Sequence, residues 1–130
     1  ELILNIKVKI SRKESHEKVN QALSAVGLED FYKRPIHTLS GGQKQRLAIA
    51  SALISDSQFI LMDEPTALLD EFSQTNILEI VKNLTSNHAS PITVMWITHR
   101  IEEIKYADKV AEMVNGKLSE WENPSNFIKN

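Results

Sequence analysis

Asp63 and Glu64 stand side by side before Pro65, at the end of the apolar run Phe59-Ile60-Leu61-Met62. Two adjacent carboxylates on a turning backbone can face different ways. One can then hold a hydrated Mg²⁺ while the other faces an attacking water as base. The same pair before a proline also suits a solvated turn. His99 follows a second run rich in β-branched residues, Ile92 to Ile97, through Thr98. An imidazole there can reach a phosphate or position water, or it can be a satisfied structural histidine. A third feature is the opening of HTLSGGQKQRLAIASAL, His37 to Leu53. Ser40 as N-cap leaves free N–H groups at a positive helix end. Gly41 and Gly42 lack the side chains that would keep a phosphate away from the backbone. Gln43 and Gln45 add neutral polar groups, and Lys44 and Arg46 add positive charge. In an ordinary capped helix two consecutive glycines would only cost stability, which favours the anion-binding reading.

These residues need elements to hold them. Residues 1–10, ELILNIKVKI, alternate with period two and read as a half-buried strand. Ser11 and Glu14 have capping-box spacing. Val19, Ala22, Leu23 and Val26 form one helical stripe, and Gly27 is a natural stop. Leu28 to Leu39 reads as a connection containing Pro35. The helix announced by Ser40 extends to about Ile54. Leu47, Ala48, Ile49, Ala50, Ala52 and Leu53 make it apolar almost all round, which predicts burial. The run Phe59 to Met62 predicts a fully buried parallel strand. Asp70 is a plausible N-cap for a helix carrying Ile77, Ile80, Val81 and Leu84. A short helix is expected around Ile101 to Tyr106. Lys109 to Val114, Asn115-Gly116 and Lys117 to Trp121 read as a hairpin with a type I′ turn. The polar tail from Asn123 is weakly specified. Strands alternating with helices give an α/β class with a mainly parallel sheet, whose chemistry belongs at the carboxyl ends of the strands.

Composition narrows the function classes. The 130 residues carry 15 basic and 17 acidic side chains, a net charge of −2, so no nucleic-acid-binding surface is implied. There is no cysteine, hence no disulfide framework, thiol nucleophile or cysteine zinc site. No apolar run approaches the roughly 18 residues of a membrane span. Residues 1–10 alternate instead of forming the solid apolar core of a secretory signal. No internal repeat is present.

Taken together, Leu39-Ser40-Gly41-Gly42-Gln43-Lys44-Gln45-Arg46 resembles the signature motif of ABC-type ATPases. Phe59 to Glu64 resembles their Walker B strand with its catalytic glutamate, Pro65 to Asp70 the D-loop, and Ile97-Thr98-His99 the H-loop. Order and spacing match over roughly Ser11 to Trp121. VMWITHRIEEIKYADKVAEMVNGKL is most similar to the energy-coupling-factor branch of importers and to single-domain plastid relatives. The resemblance implies a partial P-loop NTPase domain. Its helical signature region would span residues 11–57, its Walker B, D-loop and H-loop core 58–122, and a tail 123–130. It implies ATP and Mg²⁺ as cofactors. Asp63 would hold Mg²⁺ through water, Glu64 would polarise the hydrolytic water, and His99 would contact the γ-phosphate. Ser40, Gly41, Gly42 and Gln43 would meet a nucleotide held by another subunit, and Asp70 would help couple the two sites. It further implies a head-to-tail dimer with a second ABC ATPase domain and a transmembrane transporter subunit. Membrane association would be peripheral, on the cytoplasmic face or, in a plant, the stromal side of a plastid membrane.

The departures are specific. Ala67 stands where serine is usual, Leu68 where a small residue is common, and Arg100 where aspartate is frequent. The pattern G-x-x-x-x-G-K-[ST] does not occur, and the one Gly-Lys pair, Gly116-Lys117, lies in the hairpin turn. The family places its P-loop strand between the His99 strand and the strand from Lys109, so each of these is expected to show an unpaired edge. Residues 1–10 could fill that gap as a strand, whereas the family would place irregular or helical coupling structure there. Two functions follow: the C-terminal part of a transporter ATPase, or a truncated, ATPase-inactive module that docks on an intact partner. An ABC-like DNA-repair ATPase fits less well, because sustained heptads are missing.

Overall fold

The computed structural model describes residues 12–55, 57–86 and 92–128. The strand expected over residues 1–10, and Ser11 of the capping box, lie outside the described residues. The chain divides into two compact units, residues 1–57 and 58–130.

In the first unit, α1 (Arg12–Ala25) packs on α2 (Gly41–Ile54). Ala22, Leu23 and Val26 of the expected stripe are buried, and Val19 is half-buried. Gly27 ends α1 with φ +67°. Its N–H donates to Ser24 O at 3.0 Å, and the Leu28 N–H donates to Leu23 O at 2.8 Å. This paired bonding is the Schellman stop, and it swings Leu28 into the core at 1% exposure. Arg46 Nη1 lies 3.4 Å from the carbonyl oxygens of both Val26 and Gly27. A cation from α2 thus sits at the negative end of α1. The connection from Leu28 to Leu39 is more ordered than its sequence suggests, with short 3₁₀ turns at Glu29–Phe31 and Ile36–Thr38.

The bounds of α2 match the sequence expectation, but its burial does not. Gly42, Ile49 and Ala50 are buried, Leu47, Ala52 and Leu53 are half-buried, and Ala48 is exposed. A helix that is apolar all round needs neighbours on more than one side.

The second unit is built on a βαβ unit: β1 (Phe59–Asp63), α3 (Glu71–Thr85) and β2 (Thr93–Ile97). The strands pair in parallel, from Phe59 opposite Thr93 to Asp63 opposite Ile97. Ile77, Leu78 and Val81 are buried on α3. Each such aliphatic side chain contributes roughly 1.5–3 kcal/mol when fully buried. The expectation that β1 is fully buried is corrected. Ile60 and Met62 are buried, whereas Phe59 and Leu61 are 53% and 59% exposed. Among the described residues the sheet has two strands, and one of its faces is left uncovered.

Ile101–Tyr106 is a 3₁₀ helix, as short as expected. β3 (Met113–Val114) and β4 (Lys117–Leu118) form the expected hairpin around Asn115 (φ +50°) and Gly116 (φ +74°). Positive φ at both central residues is the type I′ requirement. Beyond this core Val110 pairs with Glu122, one step out of the register set by Met113 and Leu118. The returning arm therefore carries one extra residue, as in a β-bulge. The tail is not shapeless, because Pro124–Phe127 forms the one-turn helix α4 with Pro124 pre-setting φ at its start.

Gly27→Ala is expected to destabilise the protein by about 1–2 kcal/mol, the cost of a left-handed alanine. Gly27→Asn should lose less, since asparagine tolerates this conformation. Denaturant unfolding of the two variants checks the order.

Candidate functional site

β1 and β2 end side by side, and the site forms one residue beyond them. The Glu64 N–H donates to Ile97 O at 2.9 Å, extending the ladder past Asp63. Glu64 then takes φ +42°. A non-glycine residue in this region costs of order 1–3 kcal/mol and persists where its surroundings over-determine it. The turn sends Pro65 and Thr66 inward while Asp63 and Glu64 stay exposed. His99 Nδ1 lies 3.0 Å from Glu64 Oε1, with side-chain exposures of 71% and 48%. When Nδ1 carries the hydrogen it donates to Glu64, and Nε2 remains free for another partner.

Behind this exposed pair lies a polar cluster that the sequence did not disclose. The Glu103 side chain is 3% exposed. Its Oε1 accepts a hydrogen bond from Thr66 Oγ1, and its Oε2 accepts one from Trp96 Nε1 at 2.7 Å. Arg100 Nε lies 3.4 Å from Glu103 Oε1, an ion pair without hydrogen-bond geometry. Arg100 Nη2 donates to Gln74 Oε1 at 2.8 Å, and Gln74 Nε2 donates to Leu69 O at 2.7 Å. The usable signal was Trp96, because an inward-facing indole N–H needs an acceptor.

In the other unit, Ser40 caps α2 through a full capping box. Gln43 N–H donates to Ser40 Oγ at 3.3 Å, and Ser40 N–H donates to Gln43 Oε1 at 3.0 Å. Helix geometry leaves the Gly41 and Gly42 N–H groups without intrahelical acceptors. Gly41 is exposed and Gly42 buried. The sequence-read site residues therefore fall into two groups. Asp63, Glu64 and His99 meet at the strand ends, while Ser40, Gly41, Gly42 and Gln43 form a helix terminus in the other unit.

Asp70 caps α3, accepting from Ser73 N–H at 2.9 Å and from the Ser73 hydroxyl at 2.8 Å. The Ser73 backbone N–H, and then its hydroxyl, hold the Asp70 carboxyl below its ordinary pKa. Leu68 and Phe72 flank Asp70 at 98% and 82% exposure.

The described residues contain no group of three or more His, Cys, Asp or Glu side chains able to hold a metal. A carboxylate such as Asp63 fits Mg²⁺ only in the usual manner of nucleotide sites, where water and phosphate supply the other ligands. No helix among the described residues is long and apolar enough to cross a membrane.

Whole cassettes of known structure share this fold. The Clostridium perfringens protein cbiO1, described as part of the ABC transporter complex cbiONQ, superposes with a TM-score of 0.85 at 32% identity. That match covers 93% of this chain and 48% of cbiO1. The ATP-binding cassette of the P-loop NTPase class is the fold these elements define. Residues 2–67 match the family described as ABC transporter, and the chain belongs to that family. ABC transporter I family member 10 of Arabidopsis thaliana is 46% identical over 109 residues, which are 84% of this chain and 40% of that protein. The energy-coupling factor transporter ATP-binding protein EcfA1 of Symbiobacterium thermophilum is 43% identical over 105 residues, 81% of this chain and 36% of its own. The energy-coupling-factor resemblance read from the residues therefore holds. The chain spans well under half the length of these curated relatives. None of these comparisons supports a plastid location.

Because the Asp70 carboxyl has a lowered pKa in the folded state, its contribution to stability is complete above its ordinary value near 3.8. That contribution is lost as pH falls through the still lower folded value. Asp70→Asn should therefore differ in stability from the parent at neutral pH and converge on it in acid. Unfolding curves over pH 2–7 check the convergence.

Proposed function

We propose that this chain is the C-terminal part of the ATP-binding, ATP-hydrolysing subunit of an ABC-type transporter. The observation that carries the reading is the Glu64–His99 contact at 3.0 Å, at the carboxyl ends of adjacent parallel strands. Bound Mg·ATP would supply an electrophilic γ-phosphorus and neutralise phosphate charge. Asp63 faces solvent as a ligand for hydrated Mg²⁺. Glu64 orients and deprotonates water. His99 holds the Glu64 carboxylate with one nitrogen and offers the other to the γ-phosphate.

Ser40, Gly41, Gly42 and Gln43 complete the site of a second ABC ATPase domain packed head to tail. The supporting feature is a helix terminus whose first N–H groups have no intrahelical acceptor. Leu68 and Phe72, large apolar groups left exposed beside Asp70, suit an interface with that second domain, where Asp70 would couple the two sites. A transmembrane subunit would hold the assembly peripherally on the cytoplasmic face of a membrane. The domain organisation we propose is a signature region over residues 11–57, a catalytic core over 58–122 and a tail over 123–130.

In the ATPase completed by a P-loop half, Glu64→Gln should lower turnover at least roughly 100-fold while ATP binding persists. Hydrolysis assays paired with nucleotide-retention measurements check this, and unchanged hydrolysis removes Glu64 from the mechanism. The isolated 130-residue chain should bind Mg·ATP only weakly, since the P-loop pattern is not within it. Calorimetric titration showing tight binding without a partner would overturn that expectation.

A further inference from the structure

We propose that Glu103 is a positioning residue that holds Glu64 and His99 in register with each other. Both residues lie outside regular strands, so strand pairing alone does not fix them. Glu64 is followed after one residue by Thr66, which is 1% exposed and donates to Glu103 Oε1. His99 is followed at once by Arg100, whose Nε lies 3.4 Å from the same oxygen. The other oxygen accepts from Trp96 at 2.7 Å, and Trp96 sits opposite Met62 in the ladder. One buried carboxylate therefore ties down both segments that carry the acid–histidine pair, and anchors them to β2. Arg100 closes the ring through Gln74, whose Nε2 lies 3.4 Å from the Thr66 carbonyl and donates to the Leu69 carbonyl near the far end of the PTALLD turn.

A carboxylate suits this set of partners. Thr66 and Trp96 both donate, so both oxygens of residue 103 must accept, and the guanidinium adds a matching charge. Glutamine at 103 keeps the shape but turns one acceptor into a donor. The amide oxygen can keep the indole only if the amide N–H faces Thr66, whose hydroxyl must then turn round to accept, and the negative charge opposite Arg100 is lost. The left-handed Glu64 is the residue most exposed to the consequence, because a strained turn keeps its geometry only while its neighbours hold it. Arg100, the departure from the family pattern after the histidine, supplies the cationic member of this set.

This role rests on the ATPase reading above, and its test separates the two. In the completed ATPase, Glu103→Gln and Thr66→Val should each lower kcat by roughly tenfold or more, with KM for ATP within about twofold. The double variant should fall little below the worse single one, as for members of one network. Val81→Ala, a core truncation on α3, serves as the stability control and should leave kcat within about twofold. An unchanged kcat in Glu103→Gln, or an equal loss in Val81→Ala at matched stability, overturns the proposal. The imidazole resonances of His99, followed by NMR without nucleotide, give a readout independent of turnover. They should move in Glu103→Gln and Thr66→Val and stay in place in Val81→Ala. If Glu64→Gln leaves hydrolysis untouched, the ATPase reading falls, and the His99 resonances alone decide whether Glu103 positions the pair. Unmoved resonances overturn it.

Discussion

Five consecutive pairings, from Phe59 opposite Thr93 to Asp63 opposite Ile97, bring the segments that carry Glu64 and His99 out at one edge. Glu64 and His99 are 35 residues apart in sequence. Nothing local brings them together. Parallel pairing does, because both strands run the same way and end at the same edge. A slip of one residue would turn Ile60 and Met62 outward and move the carboxylate away from the imidazole. The bond from Glu64 N–H to Ile97 O is the last rung of that ladder, and it hands the register on to the site. The α3 crossover, with Ile77, Leu78 and Val81 buried, is what such parallel pairing needs.

The same sheet shows a debt in its packing. Phe59, Leu61, Met95 and Ile97 lie on one face and are 38–59% exposed. Sheets of this kind are normally covered on both faces. Within the described residues only the Ile60–Met62 face is covered. This agrees with a chain that matches 48% of a solved cassette. The polar ends of the strands pair with each other through Glu64 and His99, whereas their apolar flank has no cover.

Local chemistry was legible, and tertiary burial was not. Ser40 and Asp70 announced their helices because a cap is satisfied by residues three positions away. Gly27 and Asn115-Gly116 announced a stop and a turn because positive φ selects those residue types. Asp63, Glu64 and His99 were legible as the ends of apolar runs. The run from Phe59 to Met62 was over-read as fully buried, because an apolar sequence records the burial a strand is built for and not the neighbours present to provide it. Glu103 is not legible in the sequence for a related reason. Glu102 and Glu103 are identical side chains on a short polar helix, yet Glu102 is exposed and Glu103 buried. Only Thr66, Trp96 and Arg100, gathered from three separate segments, distinguish them.

At the start of α2 the capping box and the proposed anion site draw on different atoms. Ser40 Oγ accepts from Gln43 N–H, and Gln43 Oε1 accepts from Ser40 N–H. Those bonds use one lone pair of the hydroxyl and leave its hydrogen unassigned. They do not touch the N–H groups of Gly41 and Gly42. Capping therefore fixes the helix terminus without consuming the donors a phosphate would use. Since Gly42 is buried and Gly41 exposed, an anion would approach from the Gly41 side. Fixed donors need no reorganisation when charge arrives, which is the advantage of a preorganised site over a flexible glycine loop. The two glycines are then the cost of close approach, and the capping box is what keeps that cost from fraying the helix.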